Sequence, residues 1–162
     1  MKKEIILSTS KLSKSFGDLL ALDKVSIDVP KNSIFGILGP NGSGKSTLMR
    51  ILSGLIRSWN GSIYFENNSI NKSSNSYLKN FGFMIENPSF YEYLTAQENL
   101  EIFNRLVNTE VSRVAQVLAR VDLLEWSDTK VDQFSYGMKQ RLGIAQALLH
   151  DPKILILDEP NN

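Results

Sequence analysis

Apolar and polar positions alternate through Val25, Ile27 and Val29, a period-two pattern that predicts a strand with one buried face. "EIILS" near the N-terminus and "GSIYFE" at 61–66 predict companion strands, the latter introduced by a turn at Asn60-Gly61. The run "SIFGIL" at 33–38 is almost wholly apolar and abuts glycines, which predicts a strand buried on both faces. Beyond those glycines the period becomes helical: Leu48, Ile51, Leu52 and Leu55 share a side, and Gly54 stands near the end. "TAQE" at 95–98 is a capping box, and Leu100, Phe103 and Leu106 line the helix behind it. A second helix is predicted through Val111, Val114, Ala115, Leu118 and Val121. A third opens after Ser135, presents Met138, Leu142, Ala145 and Leu149, and is stopped by Asp151-Pro152. Ile154 to Leu157 is again a buried-strand pattern, and the polar stretch at 66–80 predicts a turn and surface loop. There are no internal repeats. Small strands, a strand–loop–helix, a helical insertion and a return to a buried strand together predict an α/β protein.

Composition narrows the function classes. With 162 residues the chain is long enough for one domain with its own core. Lys plus Arg number 18 against 17 Asp plus Glu, so the net charge of +1 gives no electrostatic reason to expect nucleic acid as a partner. The absence of cysteine removes disulfide and thiol chemistry. No apolar run approaches the roughly 18 residues that a membrane span needs, and "MKKEIILSTS" does not read as a signal peptide.

The densest chemistry lies in "GPNGSGKST" at 39–47, which fits G-x-x-x-x-G-K-[ST]. Gly39 permits the turn out of the preceding strand. Gly42 and Gly44 let backbone amides curl around phosphate oxygens with no side chain between. Lys45 supplies a point charge for β- and γ-phosphates, and the Ser46 hydroxyl is a Mg²⁺ ligand. The helix that starts at 44–47 aims its positive end at the same anion. The expected nucleotide site is therefore Gly39, Pro40, Asn41, Gly42, Ser43, Gly44, Lys45, Ser46 and Thr47. A glycine-rich turn with a surface lysine is the alternative. Downstream, Asp158 at the end of a buried strand suits the Mg²⁺ shell, and Glu159 beside it suits the activation of water. Taken alone, the pair reads equally as an acidic turn before Pro160.

"GPNGSGKST", "FSYGMKQRLGIAQALLHDP" and "ILILDEP" resemble, in order and spacing, the Walker A, signature and Walker B segments of ABC transporter ATPases. The resemblance implies a P-loop NTPase core with a small antiparallel β subdomain and an inserted helical subdomain. On this chain the β subdomain and P-loop core would cover 1–86, the helical subdomain 87–135 and the return to the core 136–162. It also implies ATP and Mg²⁺ as ligands, Asp158 at the metal and Glu159 as the catalytic carboxylate. The signature, commonly L-S-G-G-Q, stands here as Phe134, Ser135, Tyr136, Gly137 and Met138. Ser135 and Gly137 match and would cap the γ-phosphate held by the opposite protomer; Ser135 is also an ordinary N-cap. Phe16 matches the adenine-stacking aromatic, with a core phenylalanine as the other reading. Glu86 stands where the family has a glutamine, between the core and the helical insertion, near Mg²⁺. That glutamate and the "YGMKQR" wording resemble the subgroup that exports bacitracin or lantibiotic peptides. His150 precedes Walker B and is not at the family's switch-histidine position; a helix-end role is expected of it.

The implied partners are a transmembrane permease subunit and a second ATPase subunit, in a homodimer or heterodimer, with the chain cytoplasmic and peripheral on the inner face of the cell membrane. The family pattern continues past Walker B with another strand, the switch histidine and a helical tail, so the resemblance implies a fragment lacking the C-terminal part of the core. Ile34–Leu38 and Ile154–Leu157 are then expected about 10 Å apart, the width of two strand spacings, and turnover by these residues alone is expected to be low. Two further readings stand. One is a soluble ABC ATPase acting on nucleic acid or ribosomes, against which the 90 residues from Lys45 to Ser135 leave no room for a long coiled coil. The other is a nucleotide-binding fragment without turnover.

Overall fold

The computed structural model describes residues 3–85 and 88–158. They form two compact units, one up to Leu78 and one from Lys79. In the first, β1 (Ile5–Phe16) and β2 (Leu19–Pro30) make a long antiparallel hairpin, turned at Gly17 with φ +57°. On its other edge β1 pairs with β3 (Asn60–Phe65), which pairs with the two-residue β4 (Asn68–Ser69). The sheet order is β2-β1-β3-β4. The helix α1 (Lys45–Leu52) buries Leu48, Met49, Ile51 and Leu52. Gly54, at φ +74°, ends it with a bond from its amide to Ile51 O, and the following turn returns the Ile56 amide to Arg50 O.

In the second unit, β5 (Phe81–Met84) and β6 (Ile154–Leu157) form a two-stranded parallel sheet, Phe81 opposite Ile154 and Met84 opposite Leu157. Three helices accompany it: α2 (Ala96–Val107), α3 (Ser112–Arg120) and α4 (Tyr136–Leu148). Leu100, Val114, Val117, Leu118, Leu142 and Ala145 form the centre of their shared core. The capping box is present: the Glu98 amide donates to Thr95 Oγ1 at 3.1 Å, and the Thr95 amide donates to Glu98 Oε2 at 2.8 Å. Two arginines tie the helices together reciprocally. Arg113 of α3 donates to Leu148 O and Leu149 O at the end of α4 and pairs with Asp151, while Arg141 of α4 donates to Val121 O and Asp122 O at the end of α3. Two glycines set the approach of α4 to β5. A Cβ on Gly82 would lie 2.2 Å from Ala147 O, and one on Gly143 would lie 2.9 Å from Met84 Sδ.

Several expectations need correction. The run 33–38 forms no strand, and Ile34 and Leu38 are fully exposed. A strand must place its N–H and C=O groups in a ladder, and the sheet of the first unit does not include this run. Likewise β6 has one described ladder neighbour, β5, and exposes Leu155, so the four-residue apolar run is not buried on both sides. Leu55 lies past the end of α1 and is exposed. Leu106 is exposed in the last turn of α2; the buried stripe passes instead through Ala96, Asn99, Leu100 and Asn104. Both buried asparagines are satisfied, Asn99 by Tyr91 and Thr95 and Asn104 by Thr109 and Glu110, so polar residues occupy positions that a purely apolar periodicity assigns to leucine. On α3 the buried face is Val114, Val117, Leu118 and Val121, with Ala115 on the solvent side and Val111 exposed ahead of the helix.

Candidate functional site

The loop 39–44 joins an irregular segment to α1, and its geometry follows from glycine stereochemistry. Gly42 and Gly44 have φ +81° and +93°, the left-handed region that costs other residues strain. Gly44 is the N-cap of α1, and a Cβ there would lie 2.4 Å from Ala21 O and 2.8 Å from Leu22 Cδ2 of β2. Glycine at 44 therefore satisfies two demands, the left-handed turn and the close approach of α1 to β2. The loop is closed by a 3.2 Å bond from the Ser43 amide to Pro40 O. The N-cap makes no side-chain bond to α1 and no acid lies in its first turn, so no carboxylate of that turn offsets the positive end of the helix dipole. Lys45 Nζ donates to Gly39 O at 2.8 Å and to Pro40 O at 3.0 Å, which holds the ammonium over the loop. Glycine-loop amides, helix dipole and ammonium all belong to residues 39–47, the donor set that a polyphosphate requires. Ser46 and Thr47 follow in the first turn of α1.

Phe16 lies at the end of β1 in the same unit and is 47% exposed, so it is not a core phenylalanine. Lys14 Nζ stands 4.7 Å from the ring centroid. The sequence reading missed Lys14; its signal was the i, i+2 spacing that puts both side chains on one face of a strand.

The remaining candidates belong to the second unit. Ser135 is the N-cap of α4, and its Oγ accepts from the Met138 amide at 3.2 Å. Gly137 is in the first turn, and a Cβ there would meet no atom within 4 Å. Tyr136, at the place of the first signature glycine, is exposed, and its hydroxyl accepts from Gln140 Nε2 at 2.7 Å. Asp158 follows β6 directly, and its amide donates to Met84 O at 2.8 Å, which extends the β5–β6 register to the carboxylate-bearing residue. Glu86 and Glu159 lie outside the described residues. His150 Nε2 is 2.8 Å from Phe81 O, so the histidine ties the end of α4 to β5 rather than to the last carbonyls of its own helix.

The family model described as ABC transporter matches residues 22–162. The chain belongs to the ABC transporter family. It is 40% identical over 157 residues to the lantibiotic transport ATP-binding protein SrtF of Streptococcus pyogenes, covering 97% of this chain and 67% of that protein. It is 42% identical to the bacitracin transport ATP-binding protein BcrA of Bacillus licheniformis, covering 97% of this chain and 52% of the relative. The chain thus spans between half and two thirds of the length of these relatives. Among solved structures it is similar to a nucleotide-free ATP-binding cassette from an ABC transporter, with TM-score 0.84 and 30% identity over 98% of this chain and 70% of the other. It is also similar to the ADP form of another such cassette, with TM-score 0.85 and 32% identity over 97% of this chain and 69% of that one. The fold is that of an ABC ATPase cassette. Among the described residues, no helix is long and apolar enough to cross a membrane.

Proposed function

We propose that this chain binds Mg·ATP at Gly39–Thr47, and that the protein it belongs to hydrolyses ATP to drive export of an antimicrobial peptide through a transmembrane permease. The observation that carries the reading is the Gly44 N-cap: left-handed, without room for a Cβ, opening an uncapped helix with Lys45 held over it. Backbone amides of Gly42, Gly44, Lys45 and Ser46 take the phosphate oxygens, and Lys45 turns its ammonium from the Gly39 and Pro40 carbonyls to the β- and γ-phosphates. Phe16 offers adenine one face of its ring. Ser46 would offer its hydroxyl and Asp158 its carboxylate to Mg²⁺, an ion that takes few protein ligands beside phosphate and water. The chemistry that Mg²⁺ would supply is neutralisation of the phosphate charge. Glu159 deprotonates or orients the attacking water, and Glu86 carries the nucleotide state to the permease. Ser135 and Gly137 serve ATP bound by a second ATPase subunit; the open space around Gly137 supports an approach from outside the chain. The names of the lantibiotic and bacitracin relatives support the substrate class. The proposed location is the cytoplasmic face of the membrane, as a peripheral subunit.

Calorimetric titration with Mg·ATP tests the binding step. Wild type is expected to bind with Lys45→Ala weakened at least tenfold, as loss of a charged hydrogen bond of about 1.5–3 kcal/mol requires. Equal affinities would reject the site.

A further inference from the structure

A second groove on the first unit, of about 420 Å³, is lined by Lys14, Ser58, Trp59, Asn60 and Lys72 among others, with no carboxylate in its lining among the described residues. Two ammonium groups are anchored there on consecutive residues. Lys14 Nζ donates to Ser58 Oγ at 2.6 Å, and Lys72 Nζ donates to Trp59 O while standing 5.1 Å from the Trp59 ring centroid. Trp59 itself is buried, so its carbonyl and ring give Lys72 a fixed seat. Lys14 is fixed on its other side by the Phe16 ring. An ammonium has three donors, and each of these spends one on the protein. Ser58 accepts from Lys14 and keeps its own proton to donate. Both ammonium groups line one groove whose described lining holds no carboxylate, so an anion entering it meets positive charge from two sides.

We infer that this groove is an anion site for a phosphate group, distinct from the loop at 39–47. Two lysine point charges with a hydroxyl donor match a phosphate dianion, which offers more acceptor oxygens than a carboxylate. The groove shares the Phe16 ring, through Lys14, with the proposed adenine contact but none of the residues 39–47, so the Lys45→Ala comparison below separates it from phosphate binding at that loop.

Trp59 supplies the reporter. The chain has 2 tryptophans, so Trp126→Phe leaves Trp59 alone. Titration of that protein with inorganic phosphate at constant ionic strength is expected to give a saturable change in Trp59 emission as Lys72 shifts toward the anion. Lys14→Ala leaves the Lys72–Trp59 contact in place and is expected to weaken the response about tenfold or more, and Lys14→Arg to restore most of it. Lys45→Ala is expected to leave it unchanged. A linear, non-saturating response, an unaffected Lys14→Ala, or loss of the response in Lys45→Ala would each overturn the inference. A parallel titration with phosphatidic acid vesicles identifies the source. The same change with vesicles assigns the phosphate to a lipid headgroup, and a response to inorganic phosphate alone assigns it to a soluble anion.

Discussion

The N-termini of α1 and α4 hold the same physical resource, the leading amides at the positive end of a helix, and the chain treats them in opposite ways. At α1 the N-cap is a glycine with φ 93°, no side chain takes an amide, and a lysine is held above the turn. At α4 the N-cap is Ser135 in extended conformation, and its hydroxyl already serves the Met138 amide. The first end is kept open by backbone stereochemistry, whereas the second is closed by its own side chain. A mutation at the first end should therefore act chiefly on ligand, and one at the second chiefly on the helix. Gly44 is the exception, because it also carries the contact of α1 with β2.

Gly44→Ala should have the largest effect. It forces a left-handed alanine and puts a Cβ 2.4 Å from the Ala21 carbonyl, so nucleotide binding should vanish and stability should fall by about 2 kcal/mol or more in urea denaturation. Wild-type stability in that variant would mean the loop is free to relax and is not preset. Lys45→Ala should lose ten- to hundredfold in Mg·ATP affinity with stability changed by less than about 0.5 kcal/mol, which separates ligand from fold at α1. Ser135→Ala should do the reverse, costing about 1 kcal/mol of stability while leaving Mg·ATP affinity of the isolated chain alone. Gly137→Ala, with open space around it, should shift stability by less than about 1 kcal/mol, in the stabilising direction typical of alanine in a helix; a loss would show that the position is packed. The smallest effect concerns the first unit at alkaline pH. Burial raises the Tyr77 hydroxyl above its ordinary pKa of 10.0, an effect that the positive charge of Arg57 partly opposes. The folded state then holds the proton longer than the unfolded one, so stability should decline as pH rises past about 10, and Tyr77→Phe should flatten that decline.

The phosphate loop was legible because its chemistry demands residue types: glycine where a Cβ cannot go, lysine where charge is needed. The Thr95–Glu98 box and the Ser135 cap were legible because they are local, closing within three residues. The misreadings share a different cause. Whether Ile34 and Leu38 are covered depends on a ladder partner far away in sequence, and periodicity says nothing about partners. The buried Asn99 and Asn104 are satisfied by carbonyls close in the chain, Thr95 O and Thr109 O, a pairing that a purely apolar periodicity does not weigh. The strand β5 is only four residues long and carries a glycine, so it gave little period to read; its role appears in the parallel register with β6. The crossed capping by Arg113 and Arg141 is wholly tertiary. The family resemblance named Phe16, but not the lysine fixed over its ring.

The contrast between the two helix ends can be read directly from amide chemical shifts during a titration of the chain with Mg·ATP. Large, saturable shifts are expected at Gly42, Gly44, Lys45 and Ser46, with Ser135, Gly137 and Met138 unmoved at protein concentrations where the chain is monomeric. Equal shifts at both helices, or shifts at α4 without any at α1, would contradict it.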